Sequence, residues 1–218
     1  ELKPDFVIAN LTLGQILEDL NRRNEALNFY FKAIKINEDE FKNYDLITQF
    51  ISLSKPSELN EKKLKDILII LLERNDVNHK ELFPTFNYFF RSDLLNIEEK
   101  SGLDFLYQDS FRKLISNRAI IQAMRKIVLK DYEWEKLFIK ARRNLLILIV
   151  KEDINIVPFI LDFIIALAEQ CFLTEYVYST TKEEYRYIDQ ISKECKTAKI
   201  NESKISLLAC YSALYKLP

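Results

Sequence analysis

Leu13-Gly14-Gln15-Ile16-Leu17 and, nine positions beyond Leu17, Ala26-Leu27-Asn28-Phe29-Tyr30-Phe31-Lys32-Ala33 are the strings whose reading decides the fold. Around the first, apolar side chains recur at Phe6, Ala9, Leu13, Ile16, Leu17 and Leu20, the period of an amphipathic helix over 5–20. Asn21-Arg22-Arg23-Asn24 interrupts that stripe, with Asn24 as the candidate N-cap of a second helix. The stripe of that second helix runs through Ala26, Leu27, Tyr30, Ala33, Ile34 and Ile36. Gly14 and Ala26 are small enough for two antiparallel helices to approach to about 8–10 Å. Leu17 and Tyr30 fill the space around that contact, and Ala33 leaves room for a further hairpin.

The spacing of Leu13, Gly14, Leu17, Ala26, Tyr30 and Ala33 resembles that of the 34-residue tetratricopeptide repeat. One departure is Glu38, which stands where such a repeat usually ends in proline. Thirty-four positions earlier lies Pro4, within Glu1-Leu2-Lys3-Pro4-Asp5, a string similar to the closing turn of a preceding repeat. Repeats stack to bury their faces, so the resemblance implies further repeats upstream in a longer parent protein. It also implies an inner groove lined by first-helix side chains, here Leu11, Gln15, Glu18 and Asp19, a mildly acidic surface suited to a basic peptide.

Outward from this hairpin, composition points the same way. Only two glycines occur in 218 residues, against a usual share of about 7%. Hairpins, sheets and phosphate loops all use glycine at positive φ, so its scarcity favours helices throughout. The 32 basic and 33 acidic residues leave a net charge of −1. That balance gives no global drive toward nucleic acid or an anionic membrane. Cys171, Cys195 and Cys210 are odd in number and far apart, neither a disulfide framework nor a CxxC metal site. They read as free thiols in a reducing, cytoplasmic setting. The most apolar run, Ile154 to Cys171, carries Asn155, Pro158, Asp162, Glu169 and Gln170, so it reads as a core helix rather than a membrane span.

Periodicity predicts a third helix over 40–54, ended by Lys55-Pro56-Ser57. Further helices are expected over 61–74, 79–91 with Asn78 as cap and a kink at Pro84, 103–115, 117–129, 132–151, 157–174, 181–195 and 202–216. Thr180-x-x-Glu183 matches a capping box, and Asn201 is the candidate cap of the last helix. The expected fold is therefore all-α: a tetratricopeptide-repeat portion at 1–54, then a helical bundle or irregular α-solenoid at 57–218.

Within the second part three strings stand out: Leu71-Leu72-Glu73-Arg74-Asn75-Asp76-Val77-Asn78-His79, Asp131-Tyr132-Glu133-Trp134-Glu135, and Ala166-Leu167-Ala168-Glu169-Gln170-Cys171-Phe172-Leu173-Thr174-Glu175-Tyr176-Val177-Tyr178. With Leu208-Ala209-Cys210-Tyr211 and Tyr215-Lys216-Leu217-Pro218 they resemble the helical segment of bacterial tetratricopeptide-repeat proteins that carry a class I S-adenosylmethionine-dependent methyltransferase domain further along. Such a domain needs a glycine-rich strand-to-helix turn and an acidic residue after it for its cofactor. Gly14, within a helix, and Gly102, alone, make no such turn. S-adenosylmethionine would thus belong to the parent protein and not to these residues.

Other chemistry finds little purchase. His79 lacks the partners of a general base or zinc ligand. The carboxylate pairs Glu98-Glu99, Glu183-Glu184 and Glu133/Glu135 read as solvated faces, and Trp134 as a core anchor. Glu169, Gln170 and Glu175 interrupt an apolar helix, so Glu169 is expected to pair with Arg142 or Arg143, or else to meet a neighbouring domain. Lys136, Lys140, Arg142 and Arg143 make a basic face without the interleaved aromatics that stack bases. The rings of 83–90 are too many for one face, so some are expected to meet a partner. These residues predict a non-catalytic module that recruits a protein or peptide for a methyltransferase domain on the same polypeptide, with no metal site. The alternative is a stand-alone assembly protein that forms homo-oligomers.

Overall fold

The computed structural model describes residues 4–36, 43–97, 102–151, 158–197 and 202–213. Among them lie twelve α-helices and no strand. These are α1 (Pro4–Asp19), α2 (Arg23–Ile36), α3 (Tyr44–Ser52), α4 (Glu61–Glu73), α5 (Phe83–Leu95), α6 (Gly102–Leu106), α7 (Asp109–Ile115), α8 (Arg118–Lys126), α9 (Tyr132–Lys151), α10 (Pro158–Leu173), α11 (Lys182–Thr197) and α12 (Glu202–Ala209). The chain forms two compact units, 1–89 and 90–218, so the first continues past the boundary that Lys55-Pro56 suggests. None of the described helices is long and apolar enough to cross a membrane.

In the first unit α1 and α2 form an antiparallel hairpin. Ala26, Leu27, Tyr30, Ala33 and Ile34 of α2 are fully buried. The turn between the helices is a Schellman motif: Arg22 N–H bonds to Leu17 O at 2.8 Å and Asn21 N–H to Glu18 O at 2.8 Å. Asn21 takes the left-handed conformation there, φ 56°, which asparagine tolerates better than most residues. Asn24 is not the cap. It sits inside the first turn of α2, where its amide donates to Glu58 O at 2.7 Å and accepts from Asn60 N–H at 2.7 Å. Lys63 donates to Asn28, and the Tyr30 ring meets Phe50 edge-on at 4.9 Å, so α3 and α4 cover the far side of α2.

Pro84 does not kink its helix. It lies in the first turn of α5, where a proline's missing N–H costs no helical bond. Asn78 instead starts a short 3₁₀ turn, His79–Leu82, and its amide donates to Glu81 at 2.9 Å. The His79 ring meets Leu71 O at 3.2 Å, which fits a cap-region histidine. The aromatics of 83–89 are largely engaged within this unit. Phe86 is buried, Tyr88 donates to Glu61 at 2.7 Å, and Lys65 lies over the Phe89 ring.

In the second unit α10 is the central helix, packed against α7, α8, α9 and α12, while α11 lies on α9 and α12. Trp134 is fully buried beside Phe138, and Phe111 meets Phe105 and Phe163. Two expected elements differ. Residues 103–115 break into α6 and α7 at Tyr107-Gln108. The last helix ends at Ala209, where Cys210 N–H on Leu207 O at 3.1 Å and Tyr211 N–H on Leu208 O at 2.9 Å tighten the chain into a turn. The capping box falls one residue later than expected: Thr181 N–H donates to Glu184 at 2.7 Å and Glu184 N–H to Thr181 Oγ1 at 3.2 Å. Thr180 and Thr181 are adjacent, as are Glu183 and Glu184, so both registers satisfy the pattern. The candidate cap Asn201 lies outside the described residues.

Candidate interaction surface

Helix α1 meets α2 through Leu11, Gly14 and Leu17, all buried. A Cβ on Gly14 would lie 2.5 Å from Tyr30 Cε1 and 2.8 Å from Cδ1, so glycine is what lets this ring lie across the helix contact. Tyr30 Oη donates to Glu18 Oε2 at 2.9 Å. Burial, then this carboxylate, push the phenol's pKa upward. Ala26 and Ala33 complete the contact, as their spacing predicts.

Two sequence expectations need correcting on this helix. Leu11 is inside the hairpin and is not available to a peptide in a groove. Of the other groove residues, Gln15 and Asp19 are exposed, whereas Glu18 is half-buried and holds Tyr30. Leu13, expected as a packing residue, is only partly covered. At about 100° per residue it lies beside Leu17 but about 100° round the helix from Gly14, and it remains 44% exposed.

Leu13 belongs instead to a second apolar face. Phe6 is 62% exposed, Ile16 49% and Leu20 61%, with Ala9 exposed between them. Positions 6, 9, 13, 16 and 20 alternate steps of three and four, the seam that a second helix reads by interlocking side chains. No charged residue occupies these five positions. The four large side chains together present about two fully exposed side chains' worth of apolar surface, so covering them is worth roughly 3–6 kcal/mol. Asp19 flanks this stripe and supplies an acidic edge, whereas Gln15 lies further round the helix, beside Leu11. The sequence predicts these apolar positions as one helical stripe. What periodicity does not reveal is that Leu11 and Leu17 turn inward while their neighbours stay exposed.

The second unit carries a buried polar network. Arg142 and Glu184 are each 1% exposed. Arg142 donates to Ser179 O at 2.8 Å and Cys210 O at 3.3 Å, stands over the Tyr211 ring, and lies 3.9 Å from Glu184. Glu184 accepts from Thr181 N–H and Oγ1, both at 2.7 Å, and from Tyr211 Oη at 3.0 Å, with Arg143 at 3.5 Å. Burial pushes its pKa up, but the Thr181 and Tyr211 hydrogen bonds and Arg143 outweigh it and hold the carboxyl below the usual range. The network ties α9 and α11 to the turn after α12. Glu184 is therefore no solvated carboxylate, and it takes the arginine partners expected for Glu169.

Glu169 pairs instead with Arg125 at 3.1 Å. Neighbouring Gln170 is fully buried, and its surroundings dictate the amide orientation: with the nitrogen turned toward Met124 O (2.8 Å) and Ile127 O (2.9 Å) it donates to both, and its oxygen accepts from Leu129 N–H at 3.2 Å, closing α10 against the end of α8. Of the basic face on α9, Arg142 is internal, and Lys140 lies over Phe105. No family model, no curated protein and no solved structure matches this chain.

Proposed function

We propose that this chain is a protein-interaction module that recruits or positions a protein substrate for a catalytic domain, a methyltransferase, elsewhere in its parent protein. The observation that carries the interaction role is the uncharged, exposed stripe Phe6, Leu13, Ile16 and Leu20 on a helix whose other face is locked to α2. Exposed apolar patches of this extent mark protein contacts. The acidic edge at Asp19 favours a partner with basic residues beside its own apolar seam. The methyltransferase rests on the resemblance of the strings in 71–79, 131–135, 166–178 and 208–218, and S-adenosylmethionine would bind in that domain. The same stripe favours a second reading, self-association into a homo-oligomer, because an antiparallel copy would set Ala9 against Ile16 and Leu13 against Leu13.

Sedimentation and site-specific photo-cross-linking distinguish the two. With a photoreactive phenylalanine at position 13, the parent protein should cross-link to its protein substrate, while the 218-residue chain sediments as a monomer. A self-linked dimer that Leu13→Glu dissolves would establish the homo-oligomer. Substrate capture that survives Leu13→Glu and Leu20→Glu together would remove the stripe from the function.

A further inference from the structure

The seam between α10 and α12 is not fully closed. The side chains along it are small: Ala168 on α10, Ser206 and Ala209 on α12, and Ala213 just beyond. With Ile165 and Ile205 they line an apolar groove of about 410 Å³. That size lies within the range of small-molecule sites, about 300–1,000 Å³.

Two aromatic rings and one carboxylate complete the lining. Phe172 and Tyr176 meet edge to face, with centroids 6.5 Å apart. Tyr176 is held there by a backbone that a bulky residue rarely adopts: Glu175 and Tyr176 are both left-handed, φ 53° and 58°. Tyr176 N–H on Cys171 O at 2.8 Å and Glu175 N–H on Phe172 O at 3.0 Å fix that turn. Strain of this kind collects at ligand clamps. Glu169, one turn before Phe172, brings the charge. Its partner Arg125 is shared, with Nε 3.1 Å from Glu169 and Nη2 3.8 Å from Asp162. The Arg125 Nε is buried yet not aligned to donate a hydrogen bond to Glu169. One guanidinium thus faces two carboxylates, which leaves negative charge at the groove. No cationic side chain is among the described residues that line it.

We propose that the α10–α12 groove binds a small organic cation with an apolar body, a free hydrophobic amine whose ammonium sits beside Glu169 and the rings of Phe172 and Tyr176. The carboxylate and the π systems both attract a cation, and the alanines and isoleucines receive the apolar body. An anion of the same shape would meet Glu169, and a neutral molecule would use the apolar wall alone. Burial raises the Glu169 pKa more than Arg125 lowers it, as expected of a carboxylate that its arginine compensates only in part.

Three probes of similar shape test this on the unsubstituted 218-residue chain. Phenethylamine, phenethyl alcohol and phenylacetate are titrated separately and followed by saturation-transfer difference NMR. The amine should bind about five- to tenfold more tightly than the alcohol, with phenylacetate the weakest. High salt should narrow that difference. Glu169→Gln, at an exposed position, should bring amine and alcohol to within about twofold of each other and leave the alcohol's affinity unchanged. Ala168→Trp, which fills the groove from a half-exposed position, should abolish amine binding while far-UV ellipticity is kept. Because the three probes are ranked on the unsubstituted chain, a variant that fails to fold cannot mask the answer. An amine no tighter than the alcohol, no saturable amine binding, or amine binding that survives Ala168→Trp would each overturn the proposal. A second copy of the chain seated in the groove would overturn it too, and would show as a dimer that Ala168→Trp dissolves and the amine does not.

Discussion

Replacing Gly14 by alanine gives the sharpest test of the hairpin geometry, because two opposed effects of known size meet at one atom. In an unobstructed helix the substitution would stabilise by about 1 kcal/mol. Here the added methyl would sit 2.5–3.0 Å from three atoms of the Tyr30 ring. That ring cannot swing aside cheaply, since it is fully buried, hydrogen-bonded to Glu18 and edge-on to Phe50. Overpacking of this kind costs about 1–3 kcal/mol, and displacing the phenol from Glu18 adds about 1.5–3 kcal/mol for a bond to a charged group. The net expectation is destabilisation by about 1.5–5 kcal/mol, a fall of about 0.5–1.7 M in the urea midpoint for an m-value near the upper end of the small-protein range. Far-UV ellipticity reports the helices of both units, and the fluorescence of Trp134, the only tryptophan, reports the second. Gly14→Ala should lower the midpoint seen by ellipticity. Tyr30→Leu in the Gly14→Ala background should recover about 1 kcal/mol relative to additivity, the signature of a direct clash. A Gly14→Ala chain with an unchanged or raised midpoint would refute the close approach of α1 to α2.

Glu184→Gln should cost about 3–5 kcal/mol at neutral pH, because it removes the charge facing buried Arg142. The carboxyl's folded pKa is depressed, so its contribution is present above the unfolded value of about 4.3 and is lost as pH falls through the lower folded value. The gap between the urea midpoints of the two chains should therefore begin to narrow as pH falls below about 4.3, and a constant gap would contradict the network. Leu13→Glu and Leu20→Glu each remove apolar surface from solvent, so they should change stability by no more than about 0.5 kcal/mol, and loss of fold in either would mean the stripe is core. Gln170→Leu, which strands the carbonyls of Met124 and Ile127, should cost about 1–3 kcal/mol in thermal unfolding. Titration of S-adenosylmethionine into the chain by calorimetry should give no binding heat, and a saturable signal would put the cofactor site within these residues.

Elements with strong periodicity are legible in the sequence to within a few residues. α1, α2, α4 and α9–α11 follow their apolar spacing, and Gly14, Ala26 and Tyr30 meet where their sizes predict. Legibility falls where a residue has two satisfactory roles. Asn24 has the chemistry of a cap, yet it makes stronger use of both amide ends by bridging to Glu58 and Asn60, thirty-four and thirty-six positions away. Thr180-Thr181 and Glu183-Glu184 offer two capping registers, and Arg142, Arg143 and Tyr211 decide between them by pulling Glu184 inward. Only long-range packing settles such cases.

The same limit explains why the candidate surface is half visible in the sequence. A helical stripe identifies which residues are apolar, but a helix flanked on one side buries only part of it. On α1 the inward set is Leu11, Gly14 and Leu17, because Tyr30 needs the glycine face; Phe6, Leu13, Ile16 and Leu20 then must face elsewhere. A monomer gains nothing from keeping four large apolar side chains in water, and a polar substitution at any of them would leave the α1–α2 contact intact. Their presence is explained if a second helix covers them. The interaction role therefore rests on the mismatch between how much apolar surface α1 carries and how much α2 can cover.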